Sequence, residues 1–564
     1  MAKKDIFDIF REKAAELEQE PTPQAWSRIE RRIQSARPTV RRTPVRRLPR
    51  PLGIAAGLAL LMGLSVVFLW LADAEQRQAV ALAQHEGPLE VEELVIASAD
   101  DEVVEVVEIA NPHSTRTRTN RMTECNSEAV RFTGVRRRNI VADFNGGRLT
   151  TDAGVLLLRE VDRRIGLIDA INDCLPDPRD PRYIVHEQRE MIAQRIFSIA
   201  LGYEDINDQQ TLRDDPALQV AAGKAAEQDH PLASPPTLCR LENRVNRKAL
   251  VKMSQLFVER FLASHDSPPE EIVLDFDATD DPVHGQQEER FYQGYYRHYC
   301  FLPLYVFCGG HLLCALLRPS NIDPAKYSQA VTKLLVQRIR QQWPDVKIVI
   351  RADSGFCRWK LMRWCEKHDV DYILGIGRNK VLERRITPLM DQAEAAFEET
   401  NVKQRLFGET EYAAGTWDRP RRVIMKAERL EAGPNRRFIV TSLTGAPQQL
   451  YDATYVQRGD MENRIKEQQL MLFADRTSCH DFVANQFRLF LSSFAYVLLH
   501  ELRESHLVNT ELEHAQVNTI RLRLLKIAAR VTVSVRRVVL HMSSSFPFQA
   551  LFRQVVATLV PSPG

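Results

Sequence analysis

The stretch Glu271–Gly285, EIVLDFDATDDPVHG, constrains this chain more than any other. An apolar run, Ile272, Val273 and Leu274, leads straight into Asp275, Asp277, Asp280 and Asp281. This reads as a buried strand ending in carboxylates, although a solvated Asp turn, common where strands stop, gives the same letters. A second stretch repeats the device. Val346–Ile350 is β-branched at every position but Lys347, and it delivers Arg351, Ala352, Asp353, Ser354 and Gly355. Two strands that each place an Asp at a sheet edge can share a divalent cation, because hard oxygen ligands suit magnesium.

A third carboxylate lies in a helical stretch, residues 454–469, TYVQRGDMENRIKEQQ. Tyr455, Arg458, Glu462 and Lys466 recur there at three- and four-residue steps and share one face. An exposed helix laced with ion pairs has the same spacing. The order Asp, Asp, Glu on strand, strand and helix is the more specific signal. With DFDATDDPVHG, RADSGF and YVQRGDMENR standing in that order, the chain resembles the DDE transposases of bacterial insertion sequences. The likeness is to the group-1 DDE domain with a Y-x-x-R-x-x-x-E helix, and it runs from about Met122 to the C-terminus. The resemblance implies an α/β fold: an RNase H-like catalytic core, a β-rich insertion before the catalytic Glu, and a helical domain ahead of the core. It implies Asp277, Asp353 and Glu462 as catalytic ligands of two magnesium ions, with manganese as a substitute. Tyr455, Arg458 and Lys466 are then supporting residues. Where the wider family has a Lys seven residues after the Glu, this chain has Gln469. Asp277 is preferred to Asp275 because D-A-T resembles the family's first motif; period-two alternation puts both on one strand face, so geometry does not separate them. The implied reaction is cleavage at element ends followed by strand transfer into target DNA, by a homodimer. A metal-dependent nuclease that cuts without joining is the alternative.

Composition adds less. The formal net charge of the 564 residues is only +2, so whole-chain charge does not argue for DNA binding. The unevenness is local: residues 28–50 are rich in Arg, and residues 86–108 are acidic. The nine cysteines include no C-x-x-C pair, which signals neither a zinc site nor a disulfide framework and fits reduced cytosolic thiols.

The N-terminal segment reads separately. Residues 1–51 are a helical, then Arg-Pro-rich, cytoplasmic segment. Residues 52–72, LGIAAGLALLMGLSVVFLWLA, carry no charge, follow Arg46, Arg47 and Arg50, and precede Asp73 and Glu75; this predicts a transmembrane helix with its N-terminus in the cytoplasm. An acidic linker, 73–121, follows. This part is similar to a single-span, anti-sigma-factor-like regulator, and an insertion sequence landing in frame explains the junction, with Met122 as the transposase start. The transposase part is then cytoplasmic and meets the membrane only through residues 52–72. A membrane regulator carrying an inactive remnant is a further alternative, against which the three intact acids argue.

Residues 122–268 read as a helical DNA-binding region. Its last helix spans 234–262, opened by Pro235 and Pro236 and carrying Arg240, Arg244, Arg247 and Lys248. The core, 269–545, reads as an antiparallel hairpin turning at Gly309-Gly310, then strands 346–350 and 371–376 alternating with helices. In the insertion, about 400–447, Trp417 could stack on a flipped base with Arg421 and Arg422 on phosphates; a packed hairpin aromatic is the other reading. Residues 482–502 are almost continuously apolar, but Asn485, Gln486 and Arg488 favour a buried core helix over a membrane span. Arg521, Arg523 and Lys526 could track a DNA backbone, ahead of an alternating strand at 531–540 and a C-terminal tail, 546–564.

Overall fold

Eight strands make one mixed sheet in the computed structural model, which describes residues 129–226 and 230–560. The segments 1–51, 52–72 and 73–121 and the start at Met122 lie outside the described residues. The strands are β1 (Glu271–Ala278), β2 (Leu304–Cys308), β3 (His311–Leu316), β4 (Lys347–Ala352), β5 (Asp371–Gly375), β6 (Gln404–Tyr412), β7 (Arg421–Leu430) and β8 (Gly433–Thr441). Their order across the sheet is β6-β7-β8-β5-β4-β1-β2-β3. The centre, β1, β4 and β5, is parallel. The hairpin β2–β3 adds antiparallel to β1, turning at Gly309, whose φ of 57° suits a tight two-residue turn. On the other side the meander β6–β7–β8 adds antiparallel to β5, so these strands widen the sheet.

Alternation decides what each face carries. On β1, Ile272, Leu274 and Phe276 face one core, which also takes Ile348, Ile350 and Ala352 of β4. The opposite face of the same strands carries Val273 and Val349, packed with Ile373, Leu450 and Tyr451. Asp275 and Asp277 on β1 share the parity of Val273, and Arg351 that of Val349.

A helical layer covers the β2–β3 end. Helices Val155–Ile165, Gln188–Leu201, Pro235–Asn243 and Arg247–Ala263 share one apolar core with helix Phe482–His506. That last helix is long and apolar enough to cross a membrane, yet 78% of its most apolar stretch is buried inside the protein. Its polar residues are used internally: the Gln486 amide accepts from Leu317 N at 2.8 Å and donates to Ala315 O at 3.0 Å, gripping the end of β3. Asn485 bridges both backbone groups of Cys479.

Two expected elements are corrected. The helix expected over 234–262 breaks between Asn243 and Arg247, because Asn246 Oδ1 accepts from Ala249 N at 2.9 Å and caps a new helix. The strand expected over 531–540 is a hairpin, Ala529–Ser534 paired with Arg537–Met542.

His311 and His500 stack edge-to-face at 4.6 Å between β3 and the long helix. Burial lowers the His311 imidazole to about 4, with His265 adding to the fall. Burial also drives His500 well below the ordinary range, helped by His311, Arg503 and Arg464. Both rings are therefore neutral when folded, while in the unfolded chain they take up protons below about pH 6.5. Stability is full above that pH and falls as pH drops toward 4. Thermal unfolding followed from pH 7 to 4 should show this loss, and His311→Leu should flatten the profile.

Candidate active site

The parallel pair β1–β4 sets the site. Their register places Arg351 directly beside Asp275. The Arg351 guanidinium donates to both Asp275 oxygens, at 2.5 and 2.7 Å, and a third donor reaches Thr454 O at 2.5 Å. Both side chains are buried. Asp275 is thus fully engaged as a structural partner, and this separates it from Asp277.

Two residues further along β1, Asp277 stands at the strand end and is mostly covered. Burial pushes its carboxyl up to about 6 against the pull of Arg458, and Asp353 and Glu462 add to the rise. Asp353 follows β4 and caps a short turn, its Oδ1 accepting from Gly355 N at 2.8 Å. Glu462 comes from a continuous helical run that changes pitch several times: residues 450–455 and 467–471 are wide turns, and Gly459–Lys466 is regular α-helix. Arg458 joins the set, with Nη1 3.4 Å from Asp277 Oδ2 and Nη2 3.1 Å from Glu462 Oε1. Burial alone would lower the Arg458 guanidinium, but Asp277, Tyr455, Glu462 and Asp353 outweigh it and raise it.

Three further residues hold this arrangement. Gly375, at the end of β5, has no room for a side chain: a Cβ there would lie 2.6 Å from the Tyr455 hydroxyl and 2.8 Å from Ser354 N. Gln469 Nε2 donates to Asp280 O at 2.8 Å, tying the helical run to the loop after Asp277. Arg351 is the third. The sequence signal for Arg351 was its place in RADSGF, and that for Gln469 its place where the wider family has a Lys; Gly375 carries no comparable signal. Lys466 is exposed.

The residues expected at DNA outside this cluster divide. Arg421 is buried against Glu366 and Asp418. Arg521 is buried on Ala200 O, Met471 O and Asn518. Lys526 donates to Asp152 and to the Tyr203 hydroxyl. These three cations are engaged by groups of the protein itself in this structure. Trp417 is half-buried, edge-on to Tyr412 at 5.5 Å with the Arg421 guanidinium over its ring, the surroundings of a packed hairpin aromatic. Arg422 pairs with Glu409 at 2.6 Å and Arg523 lies over Phe548; both are partly exposed.

The donor set of Asp277, Asp353 and Glu462 is all carboxylate oxygen, balanced by one guanidinium, which suits a hard divalent cation. Arg458 sits between two of these acids. Among the described residues, the group whose possible ligand atoms lie within 4.8 Å of one another is a different one, the exposed Glu288, His480 and Asp481.

The family described as transposase DDE domain, group 1, matches residues 132–563. No curated protein matches the chain. Among solved structures, a piggyBac transposase synaptic complex with hairpin DNA aligns at 11% identity with a TM-score of 0.33, covering 74% of this chain and 87% of that one.

The Arg351–Asp275 pair yields a stability prediction. Arg351→Ala leaves a buried carboxylate without its partner and should lower unfolding free energy by about 3–5 kcal/mol. Arg351→Lys should recover only part of this, because an ammonium cannot hold both oxygens and the Thr454 carbonyl in one planar fork. Removing the exposed pair Arg358–Asp323 should cost under about 1 kcal/mol. Urea unfolding of the three variants measures all of this.

Proposed function

The chain belongs to the transposase DDE domain group 1 family, and from that premise we propose that it cleaves DNA at the ends of an insertion sequence and joins those ends to target DNA. The observation that carries the reading is the convergence of Asp277, Asp353 and Glu462 around Arg458. They come from two adjacent parallel strands and a helical run, the elements that the ordered motifs assign to them. In the order β3-β2-β1-β4-β5 the core of the sheet is RNase H-like, with β6–β8 as the β-rich insertion and the helices of residues 155–263 as the terminal-repeat-binding region. There Arg240, Arg247 and Lys248 are exposed, as cations that track phosphate must be.

Asp277, Asp353 and Glu462 would hold a pair of divalent cations, magnesium by donor type, which would acidify the oxygen nucleophile and offset charge on the attacking and leaving oxygens. The burial that raises Asp277 makes its carboxylate costlier there than in water, and a cation beside it would offset that cost. Arg458 offers a planar fork suited to phosphate oxygens. Tyr455, seated against Gly375, orients the start of that helical run. Arg422 and Arg523 remain DNA contacts in this reading. The active form is a homodimer in the cytoplasm.

The family match starts at residue 132, so protein beginning at Met122 should carry the whole activity. In that protein Asp277→Ala, Asp353→Ala and Glu462→Ala should each abolish magnesium- or manganese-dependent nicking of terminal-repeat duplexes while gel-shift binding persists. Full nicking by Asp353→Ala would overturn the assignment, and nicking without any joined product would favour the nuclease alternative.

A further inference from the structure

Beyond the acids, the loop that follows Asp277 runs into a tyrosine-rich hairpin that the proposed chemistry leaves unused. Asp281 and Pro282 pair with Phe301 and Cys300, and Phe291–Gln293 pairs antiparallel with His298–Phe301. The root is fixed: Gln293 Nε2 donates to Ser320 O and Ser320 Oγ donates to Phe291 O, both at 2.9 Å. His298 Nε2 lies 2.8 Å from Asp280 Oδ2, which ties the ribbon to the acid loop. Tyr296 stacks over His298, with centroids 6.1 Å apart.

From this root the ribbon presents tyrosines to solvent. Tyr292 and Tyr299 are cross-strand partners with ring centroids 5.7 Å apart, and the Arg290 guanidinium lies 4.4 Å over Tyr299. At the tip, Tyr295 meets Tyr296 edge-to-face at 4.9 Å. Tyr295 is 84% exposed, Tyr292 56% and Tyr299 46%. Single exposed apolar residues need no explanation, but several large aromatics on one anchored ribbon mark a contact surface. Rings interleaved with a guanidinium suit nucleobases, since every base offers a π-face and arginine adds a cation–π contact.

We propose that the hairpin of residues 291–301 is a stacking platform for unpaired bases of the DNA strand beside the cut, with Tyr292, Tyr295 and Tyr299 as its rings. The proposal rests on the reading of the acid cluster as a DNA-cleaving site, because that reading is what brings a strand to this loop. Unstacked bases next to the cut gain ring contacts that paired bases cannot make, so the platform selects opened or single-stranded ends over intact duplex.

The test compares full-length protein with the Tyr292→Ala/Tyr295→Ala/Tyr299→Ala variant and the matching triple Phe variant. The probes are a short labelled oligothymidylate and a blunt duplex of equal length, read by fluorescence anisotropy. The Ala variant should bind the oligothymidylate about tenfold more weakly or worse, with duplex affinity unchanged, and the Phe variant should match wild type. Tyr295→Ala alone, at so exposed a site, guards against loss of folding as the cause and should show part of the loss. Unchanged oligothymidylate binding overturns the proposal. So does an equal loss on both probes, and so does a change in solution mass with no change in binding, which would make the ribbon an interface between copies. The two readings fail separately: tyrosine-dependent binding without cation-dependent nicking sinks the chemistry and leaves the platform, while Asp353-dependent nicking with indifferent tyrosines sinks the platform alone.

Discussion

The fork between Arg351 and Asp275 is the interaction on which the acid cluster depends. One guanidinium holds β4 to β1 through Asp275 and holds the helical run through Thr454 O. Those are the three elements that supply Asp353, Asp277 and Glu462. A buried ion pair is weak evidence for net stability, because desolvating two charges offsets most of their attraction. Its contribution here is geometric. An apolar pair of the same volume would pack β1 on β4, but it would not reach a carbonyl on a third segment, and the segment it would release begins one residue before Tyr455.

Charge is arranged around the cluster with the same economy. Three carboxylates face one guanidinium, and Arg458 bridges only Asp277 and Glu462. The mismatch shows as the rise of Asp277 to about 6, led by burial and sharpened by its acidic neighbours. Elsewhere several buried charges are paired. Arg195 lies 2.9 Å from Glu242, and Glu467 is held by Arg503, Arg464 and the Val517 amide. Asp281, buried and pushed well above the ordinary carboxylate range by burial, with Asp475 and Asp280 adding, is a further acid without a cation beside it, so the acidic surplus extends from the cluster into the loop that follows Asp277.

The sheet and its acids were legible in the sequence because period-two alternation is local. Ile272, Leu274 and Phe276 on one parity leave Asp275 and Asp277 on the other, and a run of β-branched residues marks β4 without outside help. The hairpin β2–β3 was legible from Gly309-Gly310 for the same reason. What the sequence hid was the choice of partner. Arg421, Arg521 and Lys526 have the composition of a DNA-binding face, yet each is matched by a residue far away in the chain, Glu366, Ala200 and Asp152. Nothing in their spacing reports that. The break at Asn246 was hidden because apolar periodicity continues across it, and only the side-chain cap distinguishes two helices from one.

Position 469 makes the same point about the site itself. A lysine there would bring a positive charge and three donors, but no acceptor. Glutamine brings both: its Nε2 donates to Asp280 O at 2.8 Å, and its Oε1 lies 3.5 Å from the Thr279 hydroxyl. Two contacts on successive residues fix the loop that leaves Asp277, and that loop carries Asp280 to His298 and so anchors the tyrosine ribbon. Lys466, three residues earlier and exposed, makes neither contact and is no substitute. The neutral side chain therefore exchanges a charge near the acids for a rigid connection between the helical run, the first acid and the ribbon beyond it.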